Sequence, residues 1–154
     1  MHAIIRNTLL GGLAVGLVGS AIAADLTPEE QIQTRQAGYR FMSWNMSKIK
    51  ANLDGDYSQP RVEAAANAIA GIANSGMGVL FAPGTEQDIG EVKTRVKPEL
   101  FTNQEEVAEV AVAFIEAANS MAETAALGSE DEVRAAFGKL GQSCKGCHDK
   151  FRKD

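Results

Sequence analysis

Ser129-Glu130-Asp131-Glu132-Val133-Arg134-Ala135-Ala136-Phe137-Gly138-Lys139-Leu140-Gly141-Gln142-Ser143-Cys144-Lys145-Gly146-Cys147-His148-Asp149-Lys150-Phe151 is the stretch on which the fold turns. Ser129 with Glu132 three residues later is a capping box, in which side chains satisfy the free amides of a helix start. Val133, Phe137, Leu140, Cys144, Cys147 and Phe151 then recur at three- and four-residue spacing, which places them on one face of a helix. That seam needs other helices to cover it.

Three further segments carry the same period. Thr27-Pro28-Glu29-Glu30 combines a capping threonine, a proline at the first helical position and a glutamate three residues after the cap. The helix it starts has the seam Ile32, Tyr39, Met42, Met46, Ile49 and Leu53, interrupted only by Arg35, and stops at Asp54-Gly55-Asp56. Ser58-Gln59-Pro60 opens a small-sided second helix with Val62, Ala65, Ile69 and Ile72, ending near Ser75-Gly76. Asn103-Gln104-Glu105-Glu106 reads as another capping box, before Val107, Val110, Phe114, Ala117, Met121 and Thr124, with Gly128 as the stop. Between Gly76 and Phe101 the period fails, although Val79-Leu80-Phe81 is too apolar for water, and a loop of this length usually has a job. Four seams with short first and third connections predict an all-α, antiparallel four-helix bundle, successive helices packing at about 20°.

The chain has 154 residues, 45% hydrophobic and 23% charged, with 15 basic and 20 acidic side chains. An acidic chain of this kind is a poor partner for nucleic acid. Residues 1–23 have a positive start, an apolar run from Thr8 to Ile22 broken by four glycines, and the small-residue end Ala21-Ile22-Ala23. They read as a secretory signal peptide cleaved after Ala23, too short to anchor the product in a membrane. The exported domain is then 24–154, in the periplasm. It retains a single histidine, His148, and both cysteines, Cys144 and Cys147, within five residues of one another.

Cys-x-x-Cys-His is the attachment signature of c-type haem. On a helix, cysteines three apart and a histidine four after the first project to one side, so two thiols add to the porphyrin vinyl groups while the imidazole reaches the iron. Structural zinc wants four ligands and finds three. A thioredoxin-like pair belongs at a helix N-terminus in a βαβ setting, and a disulfide across one helical turn closes too small a loop to stabilise much.

With no second histidine, the iron's other position is open or takes a weaker ligand. Tyr39 and Met42 share one face of the first helix, and either could stand over the iron; methionines on a seam are more often core filler. Arg35 needs a partner, either a haem propionate or a surface carboxylate reached by snorkelling. Phe41 and Trp44 lie on the outer flank of that helix, as a helix-to-helix dimer contact or as scattered surface hydrophobes. Lys150, Arg152 and Lys153 suit the negative end of the last helix.

Taken with the export signal, this C-terminal motif on the last helix of a bundle resembles the cytochrome c′ family, the class II c-type cytochromes. Arg35-Gln36, Phe81-Ala82-Pro83-Gly84-Thr85, Arg134-Ala135-Ala136-Phe137-Gly138 and Ser143-Cys144-Lys145-Gly146-Cys147-His148-Asp149 with Arg152 carry the likeness. The resemblance implies one covalent haem c with a high-spin iron held only by His148, Tyr39 on the distal face, and Phe81 at the haem border. It also implies Arg35 at a propionate, with Gln36 beside it, and Arg152 beside the histidine. It implies binding of nitric oxide and carbon monoxide, slow one-electron redox and a homodimer through the first two helices, rather than enzymatic turnover. Low-spin relatives use a first-helix methionine for electron transfer, which makes Met42 the alternative distal ligand.

Overall fold

The computed structural model describes residues 26–154, so the expected leader and its cleavage point lie outside the described residues. Among the described residues there are five α-helices: α1 (Pro28–Asp54), α2 (Gln59–Ala73), α3 (Glu99–Thr102), α4 (Gln104–Leu127) and α5 (Glu130–Phe151). Four of them, α1, α2, α4 and α5, make the expected antiparallel bundle. Among the described residues the only extended pairing is two isolated bridges.

Local chemistry explains most boundaries. The Thr27 hydroxyl accepts from the Glu30 amide at 3.3 Å while the Glu30 carboxylate accepts from the Thr27 amide at 2.8 Å. Ser129 and Glu132 repeat this at 3.4 and 2.8 Å. Each cap stabilises its helix by about 1 kcal/mol. The capping box expected at Asn103 does not form. Asn103 also terminates α3, its amide oxygen accepts from the Thr102 hydroxyl, and Glu106 is drawn instead to Lys150 at 2.6 Å.

The connection from α2 to α4 is more ordered than its sequence suggests. It holds a 3₁₀ turn over Met77–Leu80, a tight reversal closed by Ile89 and Val92, and α3, which buries Leu100. Its last part pairs with the end of α5. The Lys97 amide donates to Phe151 O at 2.8 Å, and the Lys153 amide donates to Arg95 O at 2.7 Å. This strap holds the chain immediately after His148.

The helices differ in length, and that difference creates the site. At 1.5 Å per residue α2 is the shortest bundle helix, about 22 Å against about 40 Å for α1. Gln59 Nε2 donates to Ala126 O, and Arg134 Nη2 donates to Leu53 O at 2.6 Å, so one end of the bundle is closed. There Met42, Ile49, Leu53, Val62, Ile69, Met121, Val133 and Leu140 form a continuous core. Each such aliphatic side chain contributes about 1.5–3 kcal/mol on burial. At the other end α2 has stopped, and the 76–103 segment takes its place.

Candidate haem site

At that second end the apolar seams are left incompletely covered. On α1, Ile32 is fully buried and Met42 lies in the core, but Tyr39 between them keeps 42% of its surface. On α5, Leu140 and Phe151 are buried, while Cys144 and Cys147 between them are only partly so. On α4, Val107, Val110 and Phe114 are only partly buried although they continue the seam of buried Ala118 and Met121. The cysteines therefore do not lie on a wholly buried stripe, as their spacing alone suggests. Three helices keep apolar residues uncovered over the same interval, in a protein whose other end is close-packed. A flat apolar group set against the two thiols is what such an interval lacks.

The surroundings of Tyr39 and the thiols agree with this. The Tyr39 phenol is pushed up to about 12, chiefly by burial, with Cys147 and Cys144 adding to the rise and Arg35 opposing it. Burial raises both thiols as well, and Cys144 raises Cys147 further. Raised thiols are protonated, unlike the thiolate of a redox-active pair. For His148 desolvation lowers the pKa first, followed by Arg152 and Arg95, with Asp149 opposing. That favours the neutral imidazole, the form that ligates metal. Nη1 of Arg152 lies 3.4 Å from Nδ1 of His148, and Lys97 Nζ donates to Asp149 O. The residues present thus fit a c-type haem: two thiols, an imidazole one turn on, and an apolar gap beside them.

Met42 is placed differently from Tyr39. Only 5% exposed, it belongs to the buried core, against which Cys144 also packs. Phe81 joins the gap from the long connection, its ring meeting that of Tyr39 edge-on with centroids 6.3 Å apart.

Arg35 is 2% exposed, so it does not snorkel to a surface carboxylate. Nη1 donates to Leu80 O at 2.9 Å and to the Thr85 hydroxyl at 2.6 Å. Nη2 donates to Thr85 O at 2.7 Å and to the Thr94 hydroxyl at 3.0 Å. Its neighbour Gln36 donates to Lys93 O at 2.6 Å. Thr85 and Thr94, with Asn45 on α1, are buried polar residues to which the sequence assigned no role. Thr85 closes the Phe81–Thr85 stretch, but nothing around Thr94 signals its partner.

Phe41 and Trp44 stand on the outer face of α1, 48% and 53% exposed, with ring centroids 5.4 Å apart and Lys48 above Trp44. They form one patch rather than scattered hydrophobes.

The family model described as Cytochrome C′ matches residues 30–152. A cytochrome c′ of Allochromatium vinosum is 59% identical over 152 residues, which is 99% of each chain. A solved cytochrome c′ described for its unusual ligand-controlled dimer dissociation superposes with TM-score 0.83 at 60% identity, over 85% of this chain and all of that one. Carbon monoxide and nitric oxide complexes of cytochrome c′ variants from Alcaligenes xylosoxidans are 26% identical with TM-score 0.72, over 83% of this chain and 98% of those.

Proposed function

The chain belongs to the cytochrome c′ family, whose members carry c-type haem, and from that premise we propose that it is a periplasmic gas-binding haem protein taking nitric oxide and carbon monoxide. Cys144 and Cys147 would hold the haem and His148 would ligate its iron, and the group would supply a metal able to take a diatomic ligand or one electron. The carrying observation is the contrast on α1: Tyr39 is partly open beside the thiols while Met42 is buried in the core. A phenyl ring and a phenol wall the distal side, and His148 is the only histidine among the described residues. No imidazole is placed to donate a hydrogen bond to bound oxygen or to act as a general acid, so ligand binding rather than turnover is the chemistry these residues support.

The chain's own residues divide the remaining work. The strap between 95–97 and 151–153 fixes the turn that bears His148. Arg152 stands beside the imidazole and favours its neutral form. Tyr39 and Phe81 exclude bulky ligands by their size. The relative with TM-score 0.83 is matched along its full length by 85% of this chain, the share that residues 24–154 make up, which supports cleavage after Ala23. The Phe41–Trp44 patch with Lys48 supports a homodimer through α1. Trp44→Glu is expected to halve the particle mass in sedimentation.

The test is the optical spectrum of the purified holoprotein, oxidised and reduced, with and without nitric oxide. A high-spin spectrum that responds readily to the gas is the expected result. A sharp low-spin spectrum with a methionine charge-transfer band and no ready response overturns the reading in favour of Met/His-ligated electron transfer.

A further inference from the structure

We propose that Arg35 is the positioning residue of the distal wall: it clamps the Leu80–Thr94 segment to α1 and thereby sets where the ring of Tyr39 stands over the ligand position. This rests on the gas-binding reading and names the residue that regulates it.

Each terminal nitrogen of a guanidinium carries two N–H groups. All four are taken by the connection: Leu80 O and the Thr85 hydroxyl on Nη1, Thr85 O and the Thr94 hydroxyl on Nη2. Only Nε–H remains for a propionate, so the main task of Arg35 lies in the loop. The acceptors are neutral oxygens on both sides of the reversal at Ile89 and Val92, so one side chain ties together points fourteen residues apart in sequence, Leu80 and Thr94. The Thr85 hydroxyl passes the constraint on by donating to Ala82 O at 2.8 Å. Thr94 is held from its backbone side, where its amide donates to Asp88 Oδ1 at 2.9 Å.

The clamp reaches the ligand side through an aromatic contact. The guanidinium carbon sits 4.6 Å from the centroid of the Phe81 ring, within range of a cation–π attraction. Phe81 in turn meets Tyr39 edge-on. Arg35 and Tyr39 are also one turn apart on α1, so the triangle Arg35, Phe81 and Tyr39 is closed by the helix itself. A buried guanidinium with both terminal nitrogens bonded is a stiff support. Losing it frees Phe81, and the Tyr39 ring loses the edge that holds it.

The experiment uses holoprotein with Tyr57→Phe, which leaves Tyr39 as the one tyrosine. Arg35→Gln, Thr94→Val and Thr94→Ser are compared for carbon monoxide association rate, carbonyl stretching frequency and the iron-shifted ring resonances of Tyr39. Arg35→Gln and Thr94→Val are expected to speed association by about fivefold and to shift or split the carbonyl band, whereas Thr94→Ser, which keeps the hydroxyl, stays within about twofold. In a Tyr39→Ala background the same substitutions should no longer change the rate. If Arg35→Gln fails to fold, the Thr94 pair carries the comparison. An unchanged rate, band and ring resonance in Thr94→Val overturns the proposal, as does an equal effect without Tyr39. A protein that takes up neither gas overturns the gas-binding reading instead, and the Tyr39 resonances then decide the positioning role alone.

Discussion

Tyr39 and Met42 stand one helical turn apart on α1 and have opposite surroundings, the first at the edge of a gap and the second in a closed core. A thioether in that core fills space. Met42→Leu, a swap that conserves volume, should therefore cost less than about 1.5 kcal/mol in denaturant unfolding and leave the optical spectrum as it was. A loss of low-spin character would show that the sulfur had been an iron ligand. The motif Cys144-Lys145-Gly146-Cys147-His148 was legible residue by residue because its chemistry is local, one helical turn with everything on one side. Arg35 was legible as an anomaly on an apolar seam, but its partners were not. Neutral oxygens of Leu80, Thr85 and Thr94 carry no charge signature, and they lie 45 to 59 residues away.

At the scale of the helix, Glu30 and Glu132 hold their capping boxes, and both carboxyls lie below their ordinary value of 4.5, first through the backbone hydrogen bond to the cap residue and then through its hydroxyl. A lowered folded value means that the stabilisation is complete above the unfolded value and is lost as pH falls through the folded one. The urea midpoint should fall as pH drops from about 5 to about 3, and Glu30→Gln with Glu132→Gln should flatten that fall. The α5 helix has a second liability in Gly138, Gly141 and Gly146, where an added Cβ meets nothing within 4 Å. Gly138 is exposed, so Gly138→Ala should raise stability by about 0.5–1 kcal/mol with no change in spectrum. Caps with a local partner could be read from sequence. The Asn103 cap could not, because Lys150, forty-four residues on, competes for Glu106.

For the whole molecule, a closed end and a gapped end share one bundle, and on the reading proposed above the cofactor would complete the packing in the gap. Cys144→Ala with Cys147→Ala should leave the core around Ile49, Ile69 and Leu140 protected from hydrogen exchange while amides near Tyr39, Val110 and Cys147 exchange quickly. Uniform protection would mean that the haem adds nothing to the fold. Periodicity gave the four helices, but it could not foretell that seams on α1, α4 and α5 are left half-covered over the same interval. That depends on α2 ending early and on a volume the polypeptide itself does not supply. The strap joining residues 95–97 to residues 151–153 carries a consequence for biogenesis. The turn that bears the imidazole is tied down by residues 151–153, which follow all the other described helices in the chain, and the wall opposite it comes from the first helix. A stop just before Cys144 would spare most of the bundle and abolish all of the attachment chemistry. Haem attachment thus waits for the last of the described helices, downstream of the folding steps the earlier ones take on their own.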